Sequence, residues 1–223
     1  MRNEIKIPIN EEFSLIFDCW KDFKNKISTF QPDLILVSVL ESTYFLAINL
    51  LNSIPEKDRK FKTLFGGVFA TYASDKVIKN DLVDYVCRGE GEGAVVEMAN
   101  ALSSGERIDQ IKNFTVKGEG NIYKNGMRAP IDLDTVPIPD WDLFEKGSLY
   151  RPMQGEIWRA VGLETQRGCP YTCKYCNSPD QMALYKGEGA NFYRKKNLFY
   201  TYTNYILASF LAKNKFDTDP DSS

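Results

Sequence analysis

Apolar positions in the first hundred residues fall into short continuous runs separated by amphipathic stretches. Three runs are almost continuously apolar, as in strands that a parallel sheet buries on both faces: 33–40, 61–68 and 82–87. A shorter apolar run stands at 14–17. Strands separated by helices predict an α/β fold, a doubly wound, flavodoxin-like (Rossmann-like) domain built on a parallel sheet.

Three stretches have apolar residues at helical spacing and predict helices beside those strands. The first has its apolar residues at Trp20, Phe23, Ile27 and Phe30. The second follows Ser42, a plausible N-cap, and is stopped by Pro55. The third has Met98 within its apolar face and ends at Gly105, a typical C-terminal glycine.

The pattern changes after residue 110. Turn residues at 118–121 predict a small hairpin, and three prolines within 129–141 predict an extended linker that cannot continue a helix or a central strand. A new strand is predicted at 156–165. The predicted domains are therefore an α/β domain with its hairpin at 1–129, a linker at 130–155 and a second domain at 156–223.

Composition and charge exclude some classes of protein but do not identify the function of this one. Of the 223 residues, 43% are hydrophobic and 26% charged, which is ordinary for a globular protein. The net charge of −2 gives no general attraction to nucleic acid or anionic membranes, and no apolar run is long enough to span a bilayer. The N-terminus lacks the apolar core of a signal peptide, so a cytoplasmic location is expected.

Three of the five cysteines stand close together in the segment GCPYTCKYC, 168–176. Cys169, Cys173 and Cys176 have the spacing C-x3-C-x2-C, whereas Cys19 and Cys87 are expected to be buried small apolar residues. A closed zinc site needs four ligands, but the chain has no histidine, and Cys87 could be the fourth only if the first domain folds back on this loop. A four-iron cluster held by three thiolates would instead keep one iron open for chemistry.

The surrounding segment ETQRGCPYTCKYCN, 164–177, resembles the radical S-adenosylmethionine (radical-SAM) superfamily. The resemblance implies that the three cysteines bind a 4Fe-4S cluster and that S-adenosylmethionine chelates the fourth iron. Tyr175 would lie near the adenine of S-adenosylmethionine. It also implies the first part of a (β/α) radical-SAM barrel beginning near residue 156, and radical chemistry that needs a reducing electron donor.

The first domain resembles the cobalamin-binding domain that often precedes such barrels. In that family an S-x-L motif and a glycine pair line the slot for the nucleotide tail of cobalamin. The chain has both motifs, followed by a glycine-rich segment after the third strand, so the resemblance implies these cobalamin contacts: Ser38, Leu40, Gly66, Gly67, Gly89 and Glu90. It lacks the D-x-H-x-x-G motif, so a bound cobalamin would have no histidine on cobalt.

The resemblance extends from about residue 14 to 180 and implies cobalamin-linked radical-SAM chemistry, by methyl transfer or oxidative cyclisation, on an organic substrate that the sequence does not specify. The expected partners are small molecules and not nucleic acid. Because only the 68 residues 156–223 are available for the second domain, the chain is expected to lack most of a barrel and not to turn over by itself. The alternatives are a non-catalytic cobalamin- or cluster-binding module and a receiver-like domain with a zinc-binding tail.

Overall fold

The computed structural model describes residues 18–118, 120–144, 149–160, 162–187, 191–197 and 199–201. The chain forms two compact units, Met1–Gly126 and Met127–Ser223. The apolar run at 14–17 lies outside the described residues. No helix in the described part of the chain is long and apolar enough to cross a membrane.

The first unit contains a five-stranded sheet in the order β1-β2-β3-β4-β5. Its strands are β1 Leu34–Ser38, β2 Lys62–Gly66, β3 Tyr85–Cys87, β4 Phe114–Lys117 and β5 Ile122–Lys124. β1, β2 and β3 are parallel, and the hairpin of β4 and β5 adds two antiparallel strands beside β3. The predicted α/β class and the hairpin are confirmed, and the hairpin makes the sheet mixed.

The helices of the first unit are α1 Cys19–Phe30, α2 Glu41–Asn52, α3 Gly67–Tyr72, α4 Ser74–Val77 and α5 Glu92–Ser104. α2, α3 and α4 bury one apolar cluster, which includes Tyr44, Phe65 and Ile78. α5 and the hairpin bury a second, which includes Met98 and Phe114. Consecutive residues of β2 enter different clusters, since successive side chains of a strand point to opposite faces.

Two details of the predicted elements were wrong. The first strand was predicted to be buried on both faces, but Leu36 in β1 is 55% exposed because β1 lies at the edge of the described sheet. Ser42 was predicted as the N-cap of α2, but the cap is Leu40. The Leu40 N–H donates to the Thr43 hydroxyl oxygen at 3.0 Å, so Thr43, three residues into the helix, satisfies the backbone of the cap residue, whose own side chain cannot accept a hydrogen bond.

The described strands of the second unit form two antiparallel pairs. β6 Tyr150–Met153 pairs with β7 Glu156–Arg159, and β8 Gln166–Arg167 pairs with β9 Arg194–Lys195. The strand predicted over 156–165 is present only in its first part, as β7, and the short strand β8 rather than β7 leads into the cysteine loop. The parallel pairing of a (β/α) barrel does not occur among the residues described here, so the barrel stays a prediction.

A small apolar cluster lies beside the helix α6 Ser178–Leu184 of this unit. It contains Met127, Tyr185 and Phe192, and the two aromatic rings stack with their centroids 5.3 Å apart. Phe192 stands two residues before β9, and the two strands of the β8–β9 pair flank the cysteine loop in sequence.

Candidate cofactor groove and cysteine loop

A groove of about 200 Å³ lies at the carboxyl ends of β1, β2 and β3. Because the three strands are parallel, the turns that follow them meet at one edge of the sheet, which is where α/β proteins bind their ligands. The groove is lined by Leu36, Val37, Ser38, Leu64, Gly66, Gly67, Cys87, Gly89, Gly91 and Val95. Its lining is therefore mostly apolar or glycine.

The two glycines after β2 have different surroundings. Gly67 has a φ of +87°, and a Cβ there would stand 2.8 Å from Val39 O and 2.9 Å from Ser38 Oγ. Gly66 is extended, with φ −136°, and a Cβ there would meet only Cys87 O, at 3.9 Å. Gly67 is thus required by the contact between the first two turns, and Gly66 keeps the groove itself open.

Backbone hydrogen bonds join these two turns. The Val39 N–H donates to Gly66 O at 3.0 Å, and the Phe69 N–H donates to Val39 O at 3.2 Å. The S-x-L segment and the glycine pair are therefore neighbours on adjacent strands rather than separate features of the surface. This is the arrangement in which a ligand could contact both.

The turn after β3 is held by side chains from two other elements. Gly89 has a φ of +71°, and its N–H donates to the hydroxyl oxygen of Thr71 at 3.0 Å. The side-chain amide of Asn113 donates to Glu90 O at 2.7 Å. Asn113 is 1% exposed, so this contact is made in the interior at the start of the hairpin.

The groove gathers four of the six predicted cobalamin contacts: Ser38, Gly66, Gly67 and Gly89. Leu40 stands outside the lining, 56% exposed at the start of α2, and Glu90 is fixed through its backbone. The sequence interpretation did not include the apolar lining residues Leu36, Leu64 and Val95. Leu36 and Leu64 could have been predicted, because alternate residues of a strand lie on the same face and each leucine stands two residues before a predicted contact, Ser38 or Gly66.

The two isolated cysteines differ from each other. Cys87 is 3% exposed in the cluster under α5, as predicted. The prediction that Cys19 is buried was wrong, since Cys19 is exposed at the first position of α1, a helix with no buried residue. A cysteine at the end of an amphipathic pattern was taken for a core residue, but this helix covers the core only partly.

The cysteine loop begins at Gly168, directly after β8. Gly168 has a φ of +85°, and a Cβ there would stand 2.8 Å from Phe192 O and 3.0 Å from the Tyr193 Cα. The loop therefore starts where the chain crosses closely over the residues that lead into β9. No side chain larger than a hydrogen fits this crossing.

The three clustered cysteines line one loop but do not converge in this structure. Cys169 is half-buried, and Cys173 and Cys176 are exposed. Within the ranges described above, no group of three cysteine or acidic side chains is arranged to hold a metal ion. Tyr175, predicted to lie near an adenine, is 94% exposed. The chemistry of the donor atoms does fit an iron–sulfur cluster, because the loop has three thiols and the chain has no histidine whose imidazole could compete for the metal.

The thiol of Cys176 has a hydrogen-bond partner just after the loop, at the start of α6. Its Sγ lies 3.4 Å from the hydroxyl oxygen of Ser178, and its N–H donates to Cys173 O at 3.2 Å. Hydrogen bonding to the Ser178 hydroxyl, and then to the Ser178 N–H, lowers the pKa of the Cys176 thiol. A lower pKa raises the thiolate fraction, and the thiolate is the form that binds metals.

Replacing Gly168 with alanine should release β9 from the cysteine loop. The added Cβ meets backbone atoms, and a positive φ adds strain on the order of 1–3 kcal/mol. We expect faster amide hydrogen exchange at residues 192–195. Gly187→Ala is the matched control, because Gly187 has a φ of +95° but nothing within 4 Å of its Cβ position. Equal exchange in both variants would contradict the crossing described here.

The part of the chain that forms the groove matches a known protein family. Residues 12–99 match the family model of the B12 binding domain, a range that includes all three strands of the groove and the turns that follow them. The first unit is therefore an α/β domain similar to B12-binding domains. The chain as a whole is similar to cobalamin-dependent radical-SAM proteins.

Curated relatives of the chain include three proteins with chemically informative names. It is 27% identical over 166 residues to an uncharacterized methyltransferase of Pyrococcus horikoshii, covering 71% of the chain and 34% of that protein. It is 29% identical over 163 residues to the anaerobic magnesium-protoporphyrin IX monomethyl ester cyclase of Rubrivivax gelatinosus, covering 69% and 28%. It is 26% identical over 170 residues to the hopanoid C-3 methylase of Methylococcus capsulatus, covering 70% and 30%.

Solved structures share the fold at lower identity. TsrM, a radical S-adenosylmethionine methyltransferase from Kitasatospora setae, superposes with a TM-score of 0.60 at 16% identity, over 88% of this chain and 38% of that one. OxsB, a cobalamin-dependent S-adenosylmethionine radical enzyme, gives 0.63 at 20%, over 86% and 25%. The chain spans about a quarter to a third of the length of the curated relatives named above.

Proposed function

We propose that the first unit binds cobalamin in the groove at the carboxyl ends of β1, β2 and β3. The observation that carries this proposal is the contact between Gly67 and the Ser38–Val39 backbone, which brings the S-x-L and glycine-pair segments together. Ser38 Oγ would offer a hydrogen bond, and Gly66 and Gly89 would let the ligand approach the backbone closely. Leu36, Leu64 and Val95 would pack against its apolar parts.

The cysteine loop would hold a 4Fe-4S cluster through Cys169, Cys173 and Cys176, and S-adenosylmethionine would bind beside it near Tyr175. Three thiols on one loop are the donor set that iron–sulfur clusters take. When bound, these cofactors supply the electron and the carbon radical of the reaction. The loop would have to draw its exposed thiols together on binding, which its short length and its fixed start at Gly168 favour.

The proposed reaction is radical chemistry of the methyl-transfer or oxidative-cyclisation class on an organic substrate. The names of the relatives from Rubrivivax gelatinosus and Methylococcus capsulatus fall in these two classes. The chain's own residues would bind and orient cofactors. Since the chain has no histidine, any proton transfer in the reaction would fall to carboxylates, lysines, tyrosines or water.

The cobalamin proposal is tested by titrating the purified chain with aquacobalamin and following the visible spectrum. We expect saturable binding with one cobalamin per chain. Because no histidine can replace the ligand that cobalamin itself carries, the bound spectrum should not show imidazole from the protein on cobalt. No binding up to millimolar cobalamin would show that the groove is a scaffold.

A second candidate is a cobalamin-binding module without turnover. The observation that favours it is the exposure of Cys173 and Cys176, together with the 94% exposure of Tyr175. An exposed cluster would be open to water, which radical chemistry must exclude. Incubation of the reconstituted, reduced protein with S-adenosylmethionine separates the two candidates, since release of 5′-deoxyadenosine over several turnovers supports the enzyme and its absence supports the module.

A further inference from the structure

Thr71 stands between two turns of the groove without lining it. It lies in α3, one residue before that helix ends, and it is 9% exposed. Its hydroxyl donates to Gly67 O at 2.9 Å and accepts from the Gly89 N–H at 3.0 Å. One buried hydroxyl therefore joins the turn after β2 to the turn after β3.

The position of this bridge allows it to control the distance between two turns of the groove. Gly67 and Gly89 both have positive φ values, +87° and +71°, and because glycine can leave that region as freely as it enters it, contacts with other residues must hold each turn in place. The Thr71 bridge fixes how far apart the two turns stand. Asn113 holds the next residue of the second turn, through the 2.7 Å bond from its side-chain amide to Glu90 O.

We propose that Thr71 is a positioning residue that sets the width of the groove and thereby its affinity for cobalamin. The inference rests on the proposed function for its ligand, but the bridge itself is independent of that ligand. Removing the hydroxyl leaves the Gly89 N–H without its partner in a half-buried turn, and an unsatisfied buried donor destabilises the turn that contains it.

The test compares Thr71→Val with Thr71→Ser and Thr115→Val. Valine keeps the shape of threonine but removes the hydroxyl, and serine restores the hydroxyl without the methyl group. Thr115 is the matched control, since it is fully buried in β4 and its hydroxyl has no hydrogen-bond partner among the described residues. If the valine variant does not fold, Thr71→Ala removes the same hydroxyl without placing a methyl group beside Gly89.

The first measurement is amide hydrogen exchange at Gly89, which does not involve cobalamin. We expect Thr71→Val to exchange about tenfold faster at Gly89 than the wild type, and Thr71→Ser and Thr115→Val to match the wild type. Unchanged exchange at Gly89 in Thr71→Val would overturn the proposal. An equal acceleration at the core amide of Val86 would also overturn it, because it would indicate a general loss of stability.

The second measurement is the cobalamin titration of the same proteins. We expect about tenfold weaker binding for Thr71→Val and wild-type affinity for the serine variant and the Thr115 control. Faster exchange at Gly89 with unchanged affinity would show that the bridge does not control the groove. If the wild type binds no cobalamin, the proposed function fails, and the exchange data alone decide whether Thr71 holds the two turns.

Discussion

Gly67→Ala should destabilise the first unit severely. The new Cβ would stand 2.8 Å from Val39 O and 2.9 Å from Val39 N, and neither backbone atom can rotate away. Strain at a positive φ and overpacking each cost about 1–3 kcal/mol. Their sum is a large part of the 5–15 kcal/mol that holds a typical domain folded. Urea unfolding followed by circular dichroism measures the loss.

Gly66→Val is the matched variant for that experiment. Gly66 is extended, and the position of its Cβ is free apart from Cys87 O at 3.9 Å. We expect the stability of the wild type but cobalamin binding weaker by about tenfold or more, because the side chain would occupy the groove. The sequence resemblance implied the same role for both glycines, whereas the surroundings of their Cβ positions separate a structural role for Gly67 from a groove-lining role for Gly66. Full binding by Gly66→Val would contradict the position of the ligand proposed here.

Cys173→Ala should abolish the iron–sulfur cluster altogether. Cys173 is the middle thiol of the loop, and two remaining thiolates cannot hold a four-iron cluster by themselves. After anaerobic reconstitution, the wild type should contain about four irons and four sulfides per chain and absorb in the visible range. The variant should contain neither metal nor sulfide in stoichiometric amount.

Cys19→Ala is the control for that measurement. Cys19 is an exposed thiol on α1, in the first unit, so it reports on non-specific loading of iron by a surface cysteine. We expect its iron and sulfide content to equal that of the wild type. Stoichiometric zinc without sulfide in the wild type would reject the cluster and support the alternative metal considered for this loop.

The strands of the groove could be predicted because each is a run of apolar residues ending at a small or glycine residue. That pattern predicts Ser38 and the pair Gly66–Gly67 at strand ends from the sequence alone. The exposure of Leu36 could not be predicted in the same way. A strand at the edge of a sheet and a strand in its centre have similar composition, and the order of the strands is a property of the whole fold.

The side chains that hold the turns of the groove in place could not be predicted from the sequence. Thr71 contacts Gly89 and Asn113 contacts Glu90, over separations of 18 and 23 residues that no local pattern encodes. In the second unit, the spacing of the cysteines predicted their chemistry but not their exposure. The spacing of the cysteines identifies the donor atoms, whereas their exposure depends on how residues distant in sequence pack around the loop.

The bridges between the three turns also determine the order in which the first unit can assemble. Each turn forms locally, but the contacts between Ser38 and Gly67, Thr71 and Gly89, and Glu90 and Asn113 require the intervening helices to be in place. Contacts distant in sequence form late, because the chain between them must first lose its freedom. A ligand of this groove therefore binds only the completed fold and stabilises that fold relative to partly folded and unfolded chains.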